Sequence, residues 1–335
     1  MLRGFMVVVA LLGCLAIAGA WWVMRTLSPV AGTGSDEGAV RFVVAPGDTL
    51  GRVAQRLETK GLVRDARTTR WLARYEGVSS EIKAGEYALS PDRSTPEILE
   101  ILTEGRVETH AITIPEGLRA SEIADRLAEA ELVDREAFLA IVGDPASLAR
   151  HGIEGESLEG YLFPDTYRFA RGLSPERIVD AMVTEFLAAY RALEPEAAQS
   201  GLSMRELVTL ASIVEKETGA PEERPMIAAV FLNRLERGMR LETDPTVIYG
   251  IEDFDGNLKR LHLEDASNPY NTYRIPGLPP GPIASPGRLA LEAVLRPADI
   301  DYLYFVSRND GTHVFSKTYA EHTRNVDLFQ RRRRR

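Results

Sequence analysis

Cysteine is almost absent from this chain, since Cys14 is the only one among 335 residues. One cysteine excludes an intramolecular disulfide framework and any metal site built from several thiolates. The histidines show no ligand-like spacing, so a zinc site is not expected either; they lie at positions 110, 151, 262, 313 and 322. The sequence therefore predicts neither a bound metal nor a cofactor.

An excess of positive charge is also missing, because the formal net charge is −9. That balance argues against a protein that binds nucleic acid. The chain has no Walker A loop and no dinucleotide-binding glycine fingerprint. The stretch "GESLEG" has the wrong spacing for the nucleophile elbow of a serine hydrolase. What remains is a chain of ordinary globular composition, with room for two or three domains.

One long hydrophobic run is present near the N-terminus, at positions 5–24. Its length of about 20 uncharged residues suits a single helix across a membrane. A cleaved signal peptide usually has a shorter apolar core. The box "LLGC" before Cys14 resembles a lipoprotein cleavage site, but apolar sequence follows it. A retained anchor is favoured over these two alternatives.

The flanking charges leave the orientation of this anchor nearly balanced, with Arg3 on one side and Arg25 on the other. A short tail before one span usually leaves the bulk of the chain outside. We therefore expect a single-pass protein of the inner (plasma) membrane, with positions 1–4 in the cytoplasm and the remaining domains on the periplasmic side. Positions 25–40 are rich in Gly, Ser and Pro and read as a flexible linker.

A strand–turn–helix pattern then occurs twice, 70 positions apart. The first copy, "VVAPGDTLGRVAQRLETKGLVRD", resembles a LysM-type peptidoglycan-binding module; a generic α+β module without a ligand is the alternative. The expected fold class is α+β: one transmembrane helix, small LysM-like modules, and an α+β catalytic domain. The expected segments are a module at 41–107, a second repeat or connector at 108–154, the catalytic domain at 155–329 and a disordered arginine tail at 330–335.

The stretch "LASIVEKETGAPEE" ends an apolar helix with two glutamates, Glu215 and Glu217. Ser203 and Glu206 fit a capping box that starts this helix, while Gly219 and Pro221 end it. The negative end of the helix dipole disfavours a carboxylate there. Residues two apart point to different sides of a helix, so the two cannot act on one bond together.

Local neighbours give Glu217 a mild preference as the proton donor, because Ile213 and Val214 would remove more water from it than Ala211 and Ser212 would from Glu215. A general acid near neutral pH needs a glutamate whose pKa is raised from ~4.3 toward ~6. The alternative at this point is that both glutamates are solvated charges on a helix end.

Five segments together resemble one family, the endolytic murein transglycosylases of the MltG (YceG-like) type. They are "SIVEKE", "FLNRL", "GMRLETDPTVIYG", "NPYNTYRIPGLPPGPIASPG" and "YLYFVSR". The resemblance implies that Glu217 is the catalytic residue and that no cofactor takes part. The implied reaction is cleavage of the MurNAc-β-1,4-GlcNAc bond within glycan strands, giving 1,6-anhydroMurNAc ends and terminating or trimming nascent strands. The implied partners are peptidoglycan glycan strands, the inner membrane and cell-wall synthases.

Sugar contacts are expected from polar and aromatic side chains in two of these segments. They are Asp244, Tyr249, Asn271, Thr272 and Tyr273; a rigid scaffold is the alternative for the Pro/Gly-rich loop. Two other functions stay open. One is a muramidase that uses Asp244 as a second carboxylate and water as the nucleophile. The other is a wall-binding scaffold without catalysis.

Overall fold

The computed structural model describes residues 2–31, 38–45, 47–217 and 219–331; the side chains of 2–5, 7–10 and 331 lie outside this description. The chain forms two compact units. Unit 1 contains residues up to Ala111 together with Arg168–Leu173, and unit 2 contains Ile112–Tyr167 and Ser174 onward. The predicted arginine tail falls almost wholly outside the described residues, as do positions 32–37 of the predicted linker.

Unit 1 is built from helices and one small sheet. Its elements are α1 (Leu2–Leu27), β1 (Val40–Val44), α2 (Leu50–Thr59), α3 (Ala66–Tyr75), β2 (Gly85–Leu89) and α4 (Thr95–Glu104). Strands β1 and β2 are antiparallel, and Val40 pairs with Leu89. Their inward side chains form a core with α2 and α4 that includes Phe42, Leu57, Tyr87 and Leu102.

The predicted membrane anchor at 5–24 lies within α1. Part of that run, position 5 and positions 7–10, has side chains outside the description. Within the residues that the structure does describe, no helix combines the length and the apolar character needed to cross a membrane.

The second repeat lies mostly in unit 2, which starts at Ile112. Its elements are β3 (His110–Thr113), α5 (Ala120–Glu129), α6 (Arg135–Val142) and α7 (Pro145–His151), and β3 pairs with β4 (Thr166–Phe169). Both repeats therefore run strand, helix, helix, as β1–α2–α3 and β3–α5–α6. The compact unit that holds the glutamate helix starts at Ile112, so it includes this repeat as well as most of 155–329.

The remaining elements of unit 2 are mainly helical. They are α8 (Pro175–Ser200), α9 (Met204–Glu217), a 3-10 turn (Pro221–Glu223), α10 (Arg224–Glu236), α11 (Asp244–Tyr249), α12 (Arg260–Glu264), α13 (Arg288–Leu295), β5 (Tyr304–Ser307), β6 (His313–Ser316), α14 (Tyr319–Val326) and a π turn (Asp327–Arg331). Strands β5 and β6 form an antiparallel hairpin. The α+β class is confirmed.

Helix α8 runs without a break from Pro175 to Ser200. Pro195 lies inside the helix and removes one backbone donor. Leu193 and Ala197, four positions apart on one face, are both buried. This tertiary burial carries the helix through the proline to Ser200.

Candidate active site

Helix α9 carries Glu217. Its N-terminus is capped and its middle is buried in unit 2. The backbone N–H of Ser203 donates to Glu206 Oε2 at 2.9 Å, and the N–H of Glu206 donates to Ser203 Oγ at 3.3 Å. This confirms the predicted capping box. Ile213 and Val214 are fully buried one turn before the helix end. The apolar body of α9 therefore fixes its last turn, where Glu217 is the final residue.

The Glu217 carboxyl group sits in surroundings that favour its protonated form. Desolvation by burial raises its pKa, and the nearby charge of Asp244 raises it further. The Thr243 hydroxyl donates a hydrogen bond to Glu217 Oε1 and lowers this pKa, as does the charge of Arg234 and, whenever its ring is protonated, that of His313. The net direction is upward, which is what a general acid near neutral pH requires.

A cavity of about 410 Å³ opens at Glu217. Its wall combines carboxylates, an arginine, two histidines and aromatic rings: Glu217, Arg234, Leu241, Glu242, Asp244, Tyr273, Tyr304, Phe305, Val306, Ser307, His313, Tyr319, His322 and Val326. Such a lining offers hydrogen bonds to hydroxyl and amide groups and ring faces to a sugar. In the described part of the chain, no group of three or more His, Cys, Asp or Glu residues is arranged to hold a metal ion.

Glu215 has a different role from Glu217. Its carboxylate accepts a hydrogen bond from Arg224 Nη2 at 2.8 Å and another from the backbone N–H of Gly287 at 3.0 Å. Only 6% of its side chain is exposed. The alternative of two solvated charges on a helix end is therefore wrong for Glu215, which is a buried ion-pair partner outside the cavity of Glu217.

Two of the predicted sugar-contact residues line the same cavity as Glu217. The Tyr273 hydroxyl donates to Asp244 Oδ1 at 2.8 Å, and Asp244 is the first residue of α11. Burial and the adjacent Asp244 charge raise the pKa of Tyr273 well above its usual range, so this phenol stays a donor. Their contact with a substrate stays a prediction.

Asn271 and Thr272 lie behind this wall, with no exposed surface. The Asn271 amide donates to three backbone carbonyls of the preceding segment, at 2.6 to 3.3 Å. Thr272 Oγ1 accepts from the N–H of Thr243 at 3.1 Å and shares a hydrogen bond with Thr246. These bonds favour the scaffold alternative: the "NPYNTYR" segment fixes the turn that carries Thr243 to Glu217.

Tyr249 lies in a second cavity of about 330 Å³, away from Glu217. Its hydroxyl donates to Glu159 Oε2 at 3.3 Å, and its ring lies 4.6 Å from that of Tyr270. Burial raises the pKa of Glu159 to about 7, against hydrogen bonds from the Ala120 N–H and from Tyr249. The sequence analysis grouped Tyr249 with Asp244, but the helix between them directs the two into different cavities.

Sequence reasoning missed three residues that the structure places at Glu217. Thr243 bonds the carboxyl group directly. Arg234 donates to the carbonyls of Leu303 and Leu241 at 2.7 and 2.8 Å and lies over the ring of Tyr304. His313 was considered only for metal spacing. Nothing local marks these positions, because their partners are far away along the chain.

Comparison with known proteins gives consistent matches across most of the chain. The model of the YceG-like family matches residues 42–328. A Bacillus subtilis (strain 168) protein named endolytic murein transglycosylase is 31% identical over 306 residues, covering 87% of this chain and 84% of the relative. A Streptococcus pneumoniae D39 protein of the same name is 30% identical over 358 aligned positions, covering 96% of this chain and 64% of the relative.

A solved structure shows the same fold. The 2.6 Å crystal structure of a YceG-like protein from Listeria monocytogenes matches with a TM-score of 0.60 and 33% identity. The match covers 87% of this chain and 99% of the Listeria chain. The likeness therefore includes both sequence and three-dimensional structure over nearly the same length.

Proposed function

The chain belongs to the YceG-like family, and we propose that it is a lytic transglycosylase that cuts peptidoglycan glycan strands, with Glu217 as its single acid–base residue. The observation that carries this proposal is the half-buried carboxyl group of Glu217, whose pKa is raised where α9 ends at a cavity large enough for sugar rings. The names of the curated relatives supply the substrate class.

The proposed reaction uses Glu217 twice. The protonated carboxyl group first gives its proton to the glycosidic oxygen, and the bond from MurNAc C1 to that oxygen breaks. The resulting carboxylate then takes the proton of the MurNAc C6 hydroxyl, and O6 bonds to C1. The product is a 1,6-anhydroMurNAc end, and Glu217 is protonated again. An internal nucleophile removes the need for the second carboxylate that most glycosidases use.

The test is digestion of purified glycan strands followed by mass analysis of the products. The expected product is lighter by one water than a hydrolytic product and has no reducing end. Glu217→Gln keeps the shape but removes the titrating proton, so we expect a loss of at least 10²–10⁴-fold. Glu222→Gln is the matched control, because Glu222 is exposed and lies five positions further on. A fully active Glu217→Gln protein would overturn the proposal.

Hydrolysis is the second candidate, and the position of Asp244 in the same cavity favours it. A muramidase would use Asp244 to activate a water molecule or as a nucleophile. Its products would carry reducing ends, so the same mass analysis separates the two reactions. Rescue of cells lacking the protein by an inactive Glu217→Gln variant would instead support a scaffold without catalysis.

The proposed location is the periplasmic side of the inner membrane, held by the run at positions 5–24. Protease added to cells with a permeabilised outer membrane should degrade the bulk of the chain. Full protection would reverse the proposed orientation, and a lipid-modified mature N-terminus at Cys14 would support the lipoprotein alternative. Co-purification of cell-wall synthases from membranes is the corresponding test for the proposed protein partners.

The proposed wall-binding module is the part of unit 1 at 41–107, where the sequence resembles LysM. Its role would be affinity for glycan and not bond cleavage. We expect charge and aromatic substitutions on its exposed surface to weaken pull-down by peptidoglycan while turnover of short soluble glycans stays measurable. Unchanged binding across such variants would leave this module as a spacer.

A further inference from the structure

His313 lies in the wall of the Glu217 cavity with most of its side chain away from solvent, and the carboxylate of Glu223 contacts its ring. Its Nδ1 lies 2.7 Å from Glu223 Oε2, and its backbone N–H donates to Glu223 Oε1 at 3.1 Å. Only 11% of the His313 side chain and 8% of the Glu223 side chain are exposed. Its ring also packs edge-on against Phe305, with ring centres 5.4 Å apart.

The two residues come from two different elements that both follow Glu217 in the chain. Glu223 ends the 3-10 turn that follows α9, and His313 begins β6 of the hairpin. The backbones of the two elements also meet, because a Cβ added to Gly219 would lie 3.1 Å from the carbonyl oxygen of Gly311. The position of the histidine is therefore tied to the end of the helix that carries Glu217.

The carboxylate of Glu223 determines which ring nitrogen of His313 carries hydrogen. An ionised carboxylate only accepts hydrogen bonds, so the short contact requires a proton on Nδ1. In the neutral ring, Nε2 is then a hydrogen-bond acceptor. Since Nδ1 is bonded to Glu223, Nε2 is the nitrogen that can bind a ligand in the cavity. A histidine oriented in this way by a carboxylate is a common arrangement for a ring that must present one fixed nitrogen to a substrate.

We propose that His313, oriented by Glu223, is a second catalytic residue of this enzyme: its Nε2 accepts a hydrogen bond from a hydroxyl group of the sugar bound at Glu217. No proton is transferred in this contact, so the acid–base cycle of Glu217 is unchanged. The histidine fixes the sugar ring while the glycosidic bond breaks, an effect of orientation. This inference rests on the proposed function of Glu217.

Two substitutions separate a substrate contact from a structural one. The amide of Asn lies near the position of Nδ1, so His313→Asn can keep a donor to Glu223 but loses the group at Nε2. The longer Gln places its amide near Nε2, so His313→Gln keeps a group in the cavity but loses the bond to Glu223. We expect the two variants to rank in opposite orders for stability and for activity. His313→Asn should be the more stable variant, and His313→Gln should be the more active one.

The measurements are the Tm of each variant and kcat/KM for release of anhydromuramyl product from purified glycan. We expect His313→Asn to lose about 10- to 100-fold in kcat/KM with a Tm near that of the parent protein. Glu223→Gln should lower activity less than His313→Asn, since its amide still accepts one of the two bonds. His151→Gln is the matched control: the His151 side chain is only 10% exposed, and its Nε2 lies 2.9 Å from Asp180 Oδ1, so the Gln amide can keep that bond as Asn at 313 keeps the bond to Glu223, but His151 lies outside the cavity.

The inference is overturned if activity follows stability, so that His313→Asn is both the more stable and the more active variant. It is also overturned if His313→Asn and His151→Gln lose activity to the same extent. Its failure can be told apart from failure of the proposed function: an active Glu217→Gln protein removes both, whereas an inactive Glu217→Gln protein with a fully active His313→Asn protein removes only the role of His313.

Discussion

Asp244 is a neighbour whose negative charge favours the protonated form of Glu217. A raised pKa means that the carboxyl group stays protonated to higher pH, so activity is lost only as pH rises through that raised value. Asp244→Asn removes the like charge and should lower the pKa of Glu217. We expect the alkaline limb of the kcat/KM profile to move to lower pH, and a limb that stays in place would show that Asp244 does not act on Glu217 through charge.

Thr243 should shift the same profile in the other direction. Its hydroxyl donates to the Glu217 carboxylate and so stabilises the charged form. Thr243→Val is close in shape and removes only this donor. The pKa of Glu217 should rise, and the alkaline limb should move to higher pH. Measured together, the Thr243 and Asp244 variants form a pair with opposite expected signs, and a shift of both in one direction would contradict this assignment.

Glu215 should matter for stability and not for the chemical step. Removing one partner of a buried ion pair leaves the other charge without compensation and typically costs about 3–5 kcal/mol. Arg224 keeps a weaker contact with Glu116 at 3.4 Å, so we expect Glu215→Gln to cost about 3 kcal/mol in the free energy of unfolding. Denaturant unfolding gives the value. Because of this expected loss of stability, Glu222 and not Glu215 is the control for Glu217.

At the scale of single elements, local signals were enough to predict much of the structure. The capping box at Ser203 and the "NDG" turn between two β runs each satisfy backbone groups within a few residues, so helix α9 and the β5–β6 hairpin could be read directly. The prediction that Glu215 and Glu217 point to different sides also rests on helix geometry alone. It is confirmed by their separate partners, Arg224 and Thr243.

Long-range partners could not be predicted in the same way. Glu223 and His313 are 90 positions apart, and Glu215 and Gly287 are 72 apart. No periodicity or propensity relates such pairs, since only the packing of α9 against later elements brings them together. For the same reason Asn271 and Thr272 were predicted to contact sugar. Their polar groups instead form hydrogen bonds with nearby backbone and hydroxyl groups.

The loop that contains Gly160 should be sensitive to a single added methyl group. Gly160 has φ +86°, and a Cβ there would overlap Pro282 of the Pro/Gly-rich loop. Gly152 has φ +66° with open space around it. Gly152→Ala should therefore lower the free energy of unfolding by about 1 kcal/mol, from backbone strain alone. Gly160→Ala should lower it by about 2–4 kcal/mol, because overpacking adds to the strain. Equal costs in thermal unfolding would contradict the close approach of the two loops.

At the scale of the whole molecule, each unit is expected to unfold with its own core. Leu102 is fully buried in the core of unit 1. Leu102→Ala should lower the free energy of unfolding of unit 1 by about 2–5 kcal/mol, because it removes apolar contacts and leaves a cavity. In calorimetry we expect one transition to move to lower temperature while the transition of unit 2 stays in place, and glycan cleavage at 25 °C persists. A single transition that shifts as a whole would show that the units unfold together.

The separation of about 100 residues between Glu217 and His313 has a consequence for how the protein is made. During synthesis Glu217 leaves the ribosome about 100 residues before the hairpin that carries His313, and domains fold as their residues emerge. A nascent or prematurely terminated chain therefore has the acid residue but lacks the pair of Glu223 and His313, and it lacks the hairpin wall of the cavity. Competence to cut the glycan would arise only after the β5–β6 hairpin has emerged, so a chain interrupted between Glu217 and that hairpin would lack an assembled site.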